Sequence, residues 1–408
     1  MIRSIEFDKM KSKMKMSGVA IVVVVLALVV SSLPASTSTQ TKTLKAGFVY
    51  VGPIGDFGWT YAHDQGRLYA ESKLPWLTTV YAESVPEGDA ARVIHRMFRD
   101  EHCDVVFTTS FGYMDDTIDA GKRYPDKILF HCSGYKRSTN VGTYFAEFYQ
   151  IYYLNGLAAG ALAKTDKFGY VGAYPTPELI RHLNAFLLGA QELNPSATLD
   201  VRWIYEWYSI TKAQEAAEAL VSEGCSAIGY TTDSPTIPSV CEKHTRENDK
   251  GYPIYTFSHY SPMTEFASDA ILSGQLVRWG PIYTDILIKI HEGIYTPKNL
   301  KEVDYWDLLA SGNVEMGSDF GVPINPKWIP ALKAKMVKEK YTGKEMSAYD
   351  LIMLRLSQMK EVGVLFDPYT GPIYDTEGNL RIPASVRASH DDLWLMDWGV
   401  KGVRGMPK

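Results

Sequence analysis

A strand, a glycine-rich loop and the start of a helix follow one another in residues 45–61, Lys-Ala-Gly-Phe-Val-Tyr-Val-Gly-Pro-Ile-Gly-Asp-Phe-Gly-Trp-Thr-Tyr. The apolar run 45–51 predicts a buried strand, and a helical pattern begins near Tyr61. In an open α/β sheet, the loop between such a strand and its helix lies at the carboxyl edge, where these folds bind small ligands. We therefore expect this loop to contribute to a ligand site.

The loop carries a carboxylate and two large aromatic side chains, Asp56, Phe57 and Trp59, among three glycines. A carboxylate accepts hydrogen bonds from N–H or O–H groups, and an aromatic face can stack on a planar ring. Glycines let the backbone come close to a ligand. An ordinary connector with a solvated aspartate and a core phenylalanine has the same local sequence, so both interpretations are open at this stage.

Strand and helix patterns alternate along the rest of the chain, which predicts a parallel sheet covered by helices. The pattern restarts near residue 168, and we predict an α/β fold of two doubly wound lobes, joined by a hinge, with the ligand cleft between them. Residues 1–43 are predicted to be a signal peptide or membrane anchor followed by a flexible stalk. The first lobe comprises residues 44–150, and the later stretch of about 261–300 crosses back to it. The second lobe comprises residues 151–260 with about 301–325, and the helices and strands of residues 326–408 brace the lobes.

Loops that follow strands face the cleft in this arrangement, and nearly all of them carry aromatic side chains. Beyond the first loop, the predicted ligand contacts are Phe111, Trp207, Asp233, His259 and Trp279. Two facing aromatic rings can hold a planar ring between them, while carboxylates on opposite lobes accept its N–H or O–H groups. Asp233 has a rival interpretation, because Asp-Ser-Pro before a helix can form an N-cap. We expect Tyr113, Tyr208 and Tyr260 to serve lobe packing or the rim.

The amino terminus is typical of an export signal, because lysines at residues 9–15 precede the apolar segment 19–30 and a small-residue tail. The 12 apolar residues would span about 18 Å as a helix, against about 30 Å of bilayer hydrocarbon. Cleavage near Ala35 is therefore favoured, and an uncleaved anchor that binds the membrane surface stays open. The mature protein is predicted to be extracytoplasmic, either secreted or anchored to the outer face of the cell membrane.

Composition and motifs argue against several classes of function. The net charge is −5 and the body of the chain has no basic cluster, which argues against a nucleic-acid partner. No Cys-x-x-Cys or His-x-x-x-His spacing indicates a metal site. The chain also lacks a phosphate-binding Gly-Lys-Ser/Thr loop, a Gly-x-Ser-x-Gly elbow and a His-Glu-x-x-His motif. We predict no cofactor, no metal and no enzymatic activity.

The four cysteines could form disulfides in an exported protein. Cys103 begins one predicted strand and Cys132 ends the next, so in parallel neighbours the sulfurs would lie at opposite edges of the sheet. That separation exceeds the limit of about 7 Å between the Cα atoms of a disulfide. We predict free buried thiols for this pair and leave Cys225 and Cys241 open.

Four stretches have the spacing of a known family. They are Asp56 to Gly66 in the first loop and helix, Ala-Gly-Lys-Arg-Tyr-Pro-Asp at 120–126, Gly-Pro-Ile-Tyr-Asp at 371–375 and Gly-Val-Arg-Gly at 402–405. Together they resemble the basic membrane protein (BMP) family, the purine-nucleoside receptors of ABC importers, over about residues 45–405. The resemblance implies a type I periplasmic-binding-protein fold, a purine-type ligand (adenine or a purine nucleoside), and the membrane subunits of an ABC transporter as partners.

This chain departs from the family pattern in its site. Where the family has phenylalanine and asparagine in the first loop, Trp59 and Thr60 stand here, so stacking is kept and an amide contact is lost. The resemblance adds Thr60 to the predicted ligand-binding residues. The family aspartate after the fourth strand is replaced around Ser133. A more aromatic and less polar site of this kind suits a free purine base better than a nucleoside.

Two alternative functions remain at this stage. An extracellular nucleoside-processing hydrolase could use Asp56 and Asp233 for acid–base chemistry, although no nucleophile or metal motif accompanies them. A ligand sensor could instead be held at the membrane by an uncleaved amino-terminal segment.

Overall fold

The structure, a computed structural model, describes residues 43–361 and 365–407. The predicted export segment and nearly all of the predicted stalk, residues 1–42, lie outside the described residues. Within the described part, no helix is long and apolar enough to cross a membrane.

The described elements alternate strand and helix as the sequence predicts. The strands are β1 (Leu44–Val49), β2 (Leu77–Ala82), β3 (Val105–Thr108), β4 (Ile128–Cys132), β5 (Val141–Ala146), β6 (Lys167–Gly172), β7 (Thr198–Trp203), β8 (Ala227–Thr231), β9 (Thr256–Tyr260), β10 (Ile271–Val277), β11 (Asp304–Asp307), β12 (Val314–Met316), β13 (Met336–Lys338), β14 (Glu345–Ser347), β15 (Ile373–Tyr374), β16 (Leu380–Ile382) and β17 (Val403–Arg404). The α-helices are α1 (Trp59–Lys73), α2 (Ala90–Arg99), α3 (Met114–Arg123), α4 (Tyr149–Leu162), α5 (Pro177–Leu193), α6 (Ile210–Ser222), α7 (Thr236–Glu247), α8 (Trp279–His291), α9 (Ile329–Ala334), α10 (Ala348–Lys360) and α11 (His390–Trp394).

The first lobe is built on a six-stranded parallel sheet in the order β11-β5-β4-β3-β1-β2. Strands β3, β4 and β5 are buried along their whole length, as expected of a parallel sheet covered on both faces. Aromatic side chains fill its core, with the rings of Phe48 and Phe107 stacked at 4.9 Å. All strands of this sheet therefore direct their carboxyl ends to the same edge.

The second lobe contains a four-stranded parallel sheet in the order β17-β7-β6-β8. A parallel bridge from Ala227 to Tyr255 continues this sheet to the three strands β9-β10-β12, of which β12 is antiparallel. Short antiparallel hairpins, β13–β14 and β15–β16, follow later in the chain. Two helix-covered parallel sheets are the α/β architecture that the sequence predicts.

Two strands, β10 and β11, belong to different lobes from those expected from the sequence. Strand β10, in the stretch 261–300 that was expected in the first lobe, pairs with β9 in the second lobe. Strand β11, in the stretch 301–325 that was expected in the second lobe, pairs with β5 in the first. The chain thus crosses between the lobes after β5, after β10 and after β11. Strand β11 pairs with β5 across more than 150 residues of sequence, which leaves no local pattern, and the expectation was wrong for it. Strand β10 instead pairs with β9, the strand that precedes it, so the expected crossing after β9 was placed one strand too early.

Two close helix contacts depend on glycine. A Cβ at Gly156 in α4 would lie 2.1 Å from the backbone oxygen of Phe186 in α5, and a Cβ at Gly189 would lie 2.0 Å from that of Tyr153. In the first lobe, a Cβ at Gly66 in α1 would lie 2.6 Å from the Cβ of Trp279 in α8. Larger residues would push these helices apart, so the glycines set their spacing.

All four cysteines are buried and free. This confirms the prediction for Cys103 and Cys132, and it answers the open question for Cys225 and Cys241. Burial raises the pKa of the Cys103 thiol to about 11 and that of the Cys225 thiol to about 12, so both are protonated at neutral pH.

Candidate functional site

A cavity of about 250 Å³, including its opening to solvent, lies between the two lobes. Its walls come from residues that end a strand or closely follow one, as expected at the carboxyl edges of parallel sheets. The lining residues are Val51, Trp59, Ser110, Phe111 and Ser133 from the first lobe, and Glu178, Trp207, Asp233 and Tyr260 from the second.

Four of the nine predicted site residues line this cavity, namely Trp59, Phe111, Trp207 and Asp233. The other five, Asp56, Phe57, Thr60, His259 and Trp279, lie outside its lining. The predicted ligand contacts do not include the lining residues Val51, Ser110, Ser133 and Glu178, although Ser110 and Glu178 follow strands whose loops were expected to face the cleft. Tyr260, which also lines the cavity, was expected to serve lobe packing or the rim. Position shortly after a strand was the available signal for the first four, because a valine or a serine is not distinctive by residue type.

Asp56 organises the loop after β1 rather than the cavity wall. Its carboxylate accepts hydrogen bonds from the backbone N–H groups of Gly58 (2.7 Å), Thr60 (3.0 Å) and Tyr61 (3.0 Å). These are donors at the start of α1 that lack partners within the helix, so Asp56 performs the role of a cap. Thr60 is similarly occupied, because its Oγ1 accepts from the backbone N–H of Gly52 at 3.1 Å.

Trp59 forms the inner wall of the cavity. It is only 6% exposed, and its Nε1 donates to the backbone oxygen of Thr109 at 2.5 Å. Its ring meets those of Tyr260 and Trp279 edge-on, at 5.0 and 5.4 Å between centroids. Trp279 therefore lies behind Trp59 and supports it, and it also stacks on His63 at 4.2 Å.

Phe57 and His259 do not line the cavity, because the Phe57 side chain is partly exposed at the boundary of the lobes and the His259 side chain is buried inside the second lobe. Phe57 has a left-handed backbone (φ 58°) and a side chain that is 42% exposed, and its ring contacts Phe266 of the second lobe at 5.2 Å. His259 is buried in the second lobe, where Nδ1 lies 2.6 Å from Nε2 of Gln275. Burial lowers the pKa of His259 well below its ordinary value, so the ring is neutral.

Asp233 presents a carboxyl group to the cavity. Its backbone N–H donates to the backbone oxygen of Trp207 at 2.8 Å, which fixes its position. Its side chain is buried and accepts no hydrogen bond from the described residues. Asp233 does not act as an N-cap, because α7 begins after Pro235 without a side-chain cap. The N–H of Thr236, the first residue of α7, donates instead to Oγ of Ser234 at 3.4 Å. A buried carboxyl group without a partner is costly, so a ligand that donates to it would be strongly favoured.

Glu178 adds a second carboxyl group from the second lobe. The Ser133 hydroxyl of the first lobe donates to its Oε2. Ser133 stands where the BMP family, which this sequence resembles, has an aspartate. The backbone of Ser133 is left-handed (φ 69°). Besides Asp233, the cavity thus has a second carboxyl group, that of Glu178 on the second lobe, and it faces Ser133 on the first lobe.

Burial of the carboxyl groups favours their protonated forms. Burial raises the pKa of Asp233 well above its ordinary value, and Asp56 and Glu178 add to the effect. Burial also raises the pKa of Glu178, against the opposing influence of His182 and Arg181. For Asp56, burial raises the pKa to about 6 although three backbone N–H groups donate to it. None of the described residues that line the cavity is a lysine, arginine or histidine.

The two lobes touch around the cavity, so the structure shows a closed arrangement. A Cβ at Gly58 would lie 3.0 Å from the Cα of Asp233. The Ser261 hydroxyl of the second lobe donates to the backbone oxygen of Phe57. No described residue after 325 lines the cavity.

Comparisons with known proteins identify the family. Residues 43–319 match the model of the Bmp family, described as PnrA-like ABC transporter substrate-binding proteins. The chain is 34% identical over 362 residues to a purine-binding protein of Brucella abortus (strain 2308), which covers 88% of this chain and 93% of that one. It is 35% identical over 290 residues to a putative ABC transporter glucose-binding protein of Haloferax volcanii, with 71% of this chain and 68% of that one covered.

Solved structures share the fold at low sequence identity. An ABC transporter solute-binding protein of Aeropyrum pernix K1 is 14% identical with a TM-score of 0.64, and the match covers 86% of this chain and 95% of that one. A solute-binding protein of Conexibacter woesei DSM 14684 is 16% identical with a TM-score of 0.55, covering 80% and 100%. These likenesses confirm the type I periplasmic-binding-protein fold. The family match spans more than half of the sequence, and the chain belongs to the Bmp family of PnrA-like ABC transporter substrate-binding proteins.

Proposed function

We propose that this ABC transporter substrate-binding protein captures a purine-type ligand, with a free base such as adenine preferred over a nucleoside. Substrate-binding proteins of this kind act outside the cytoplasm, bind small molecules and deliver them to the membrane subunits of a transporter. The purine-binding relative from Brucella abortus supports the ligand class. The observation that carries the proposal is the lining of the cavity, which combines aromatic faces with buried carboxyl groups.

The aromatic lining suits a flat heterocycle. Trp59 and Phe111 approach from the first lobe, and Trp207 and Tyr260 from the second. Stacking of a base on one aromatic side chain contributes about 1–3 kcal/mol. The carboxyl group of Asp233 has no partner among the described residues, so it would accept from a ring N–H or an amino group of the base.

The departures from the family pattern favour a free base. Trp59 stands where the family has phenylalanine, and Ser133 stands where it has an aspartate, so the lining is more aromatic and less polar. A nucleoside would add a sugar with several hydroxyl groups, and each of these needs a polar partner when it is buried.

Calorimetric titration with adenine, guanine, adenosine, guanosine and glucose tests the proposal. We expect adenine or guanine to bind in the micromolar range or tighter, and the nucleosides to bind at least about tenfold more weakly, a difference of about 1.4 kcal/mol. Nucleosides that bind well while free bases do not would overturn the preference for a base. Glucose binding without purine binding would overturn the ligand class, and it is included because of the Haloferax relative.

The enzymatic alternative has no support in this geometry. Asp56 is occupied as a helix cap, so it cannot act with Asp233 as a paired acid and base on a ligand in the cavity. The family consists of solute-binding proteins. We therefore infer that the protein binds its ligand without turnover, which unchanged adenosine after prolonged incubation with the protein would verify by chromatography.

A further inference from the structure

One hydrogen bond joins the two lobes at the mouth of the cavity through a residue that does not line it. Nε1 of Trp207, in the second lobe, donates to Oε1 of Glu87, in the first lobe, at 3.1 Å. Trp207 lines the cavity, and Glu87 does not. The bond has a charged acceptor, and bonds of that kind are stronger than neutral ones.

Glu87 is held in place by its own lobe. The same Oε1 accepts from the Ser110 hydroxyl at 2.7 Å and from the backbone N–H of Gly112 at 3.0 Å. A Cβ at Gly112 would lie 2.3 Å from the carboxyl carbon of Glu87, so only glycine at that position permits the approach. The preceding residues are fixed as well, because the Tyr113 hydroxyl donates to the backbone oxygen of Val85 at 2.6 Å.

Trp207 connects this bond to the carboxyl group that we assign to the ligand. Its backbone oxygen accepts from the N–H of Asp233 at 2.8 Å. Its ring also packs on Tyr174 at 5.3 Å between centroids. The indole is thus supported from behind by its own lobe, while its N–H reaches across to Glu87. Opening the lobes breaks this bond and withdraws one aromatic wall of the cavity.

We infer that Glu87 is a positioning residue for ligand retention: it holds the Trp207 indole against the bound ligand in the closed state and so slows release. This inference rests on the proposed function for the choice of ligand. A contact that forms only after closure should change the dissociation rate and leave the association rate nearly unchanged, because binding begins in the open state. A general loss of folded protein would instead lower the fraction of active protein.

A double-mutant cycle isolates the bond between the lobes from the bonds that Glu87 makes within its own lobe. The variants are Glu87→Ala, Trp207→Phe and the double variant, with Glu87→Gln as the conservative change that keeps an acceptor oxygen. Trp207→Phe removes the N–H donor and keeps an aromatic face. The measurement is the release of radiolabelled adenine after a chase with unlabelled adenine, together with the association rate.

We expect Glu87→Ala and Trp207→Phe each to raise the dissociation rate about tenfold, as for the loss of a hydrogen bond to a charged group. The double variant should release adenine at nearly the rate of the faster single variant, and Glu87→Gln should stay closer to the wild type. Glu101→Ala is the matched control, because Glu101 pairs with Lys45 on the surface of the same lobe, away from the cavity.

Two results would overturn the inference. One is an unchanged dissociation rate in Trp207→Phe, which is a conservative variant expected to fold. The other is full additivity in the double variant, which would show that Glu87 acts only on Ser110 and Gly112. Failure of the proposed function has a different signature, since the wild-type protein itself would then bind no purine in the calorimetric titration.

Discussion

Two aspartates on opposite sides of the lobe boundary have different roles although both are buried. Asp56 has three backbone N–H donors within its own loop, whereas Asp233 has a carboxyl group without a partner in the described part of the chain. Their charges nevertheless interact, because each is removed from water and Asp56 contributes to the raised pKa of Asp233. The carboxyl group that is short of hydrogen bonds is the one available to a ligand.

The pKa shifts of these carboxyl groups predict a pH dependence for the ligand-free protein. Burial raises the pKa of Asp56 from 3.8 to about 6 in the folded state. The folded state therefore binds the proton more tightly than the unfolded state does. This stabilising contribution is fully present below about pH 4 and is lost as the pH rises through 6. Asp233→Asn removes a second carboxyl group whose pKa is raised, first by burial and then by Asp56 and Glu178, so the melting temperature should fall less between pH 4 and 7 than in the wild type.

Thermal melting of both proteins at several pH values checks this expectation. Asp126→Asn is the control, because Asp126 lies on the surface of the first lobe. It should follow the wild-type pH profile. Parallel profiles for Asp233→Asn and the wild type would contradict the raised pKa assigned to Asp233.

At the scale of elements, the loop between β1 and α1 joins the two lobes as well as forming one wall of the cavity. Its Gly58 packs directly on the backbone of Asp233, and its Phe57 contacts Phe266. Trp59, at the first position of α1, faces the cavity from the same loop. Movement of the second lobe away from this loop would open the cavity.

Gly58→Ala should therefore weaken ligand binding by hindering closure. The new Cβ would lie 3.0 Å from the Cα of Asp233, and backbone on both sides cannot yield easily. We expect an affinity loss of at least about tenfold, or 1.4 kcal/mol. Gly55→Ala is the matched control in the same loop, because a Cβ there meets no atom within 4 Å. Equal affinities for the two variants, measured by calorimetry with adenine, would contradict the role assigned to Gly58.

At the scale of the whole molecule, a buried arginine fixes the region where the chain crosses between the lobes. Arg181 of α5 pairs with Glu147, which follows β5 at the first crossing, at 2.7 Å, and both side chains are fully buried. Three aromatic rings surround its guanidinium: Phe145 at 5.4 Å, Trp306 at 5.1 Å and Trp394 at 4.9 Å. These rings come from the end of β5, from β11 and from α11. Helix α11, near the carboxyl end, thus contacts the region where the chain crosses between the lobes.

Removal of this buried charge should be costly. Arg181→Ala leaves Glu147 buried with only the His182 ring and the backbone N–H of Tyr149 as hydrogen-bond partners, and loss of one partner of a buried pair costs about 3–5 kcal/mol. Arg202→Ala is the surface control, because its pair with Glu223 is about half exposed and such pairs contribute about 0–1 kcal/mol. Urea denaturation followed by circular dichroism measures both, and equal effects would argue against a buried hinge pair.

Much of the fold was predictable, and about half of the predicted site residues line the cavity. Trp59 and Asp233 were found because an aromatic or acidic residue close after a buried strand is a specific signal. Asp56 has the same signal, and the family resemblance adds Thr60, yet the polar atoms of both bond to the loop itself. Glu178 was not singled out as a ligand contact because it lies in the first turn of a helix, where an acidic residue is ordinary. Local pattern does not reveal which polar group remains without a partner.

The sequence by itself determined the alternation of strands and helices, the parallel α/β class and the family, because burial periodicity and motif spacing are local properties of the chain. The lobe that receives β11 followed only from the three-dimensional pairing, since that pairing joins distant segments of the chain. The tertiary structure also decided which side chains reach the cavity. The left-handed backbone at Phe57 leaves that ring exposed while Trp59 is buried against the site, and the contacts between the lobes exist only when both are assembled.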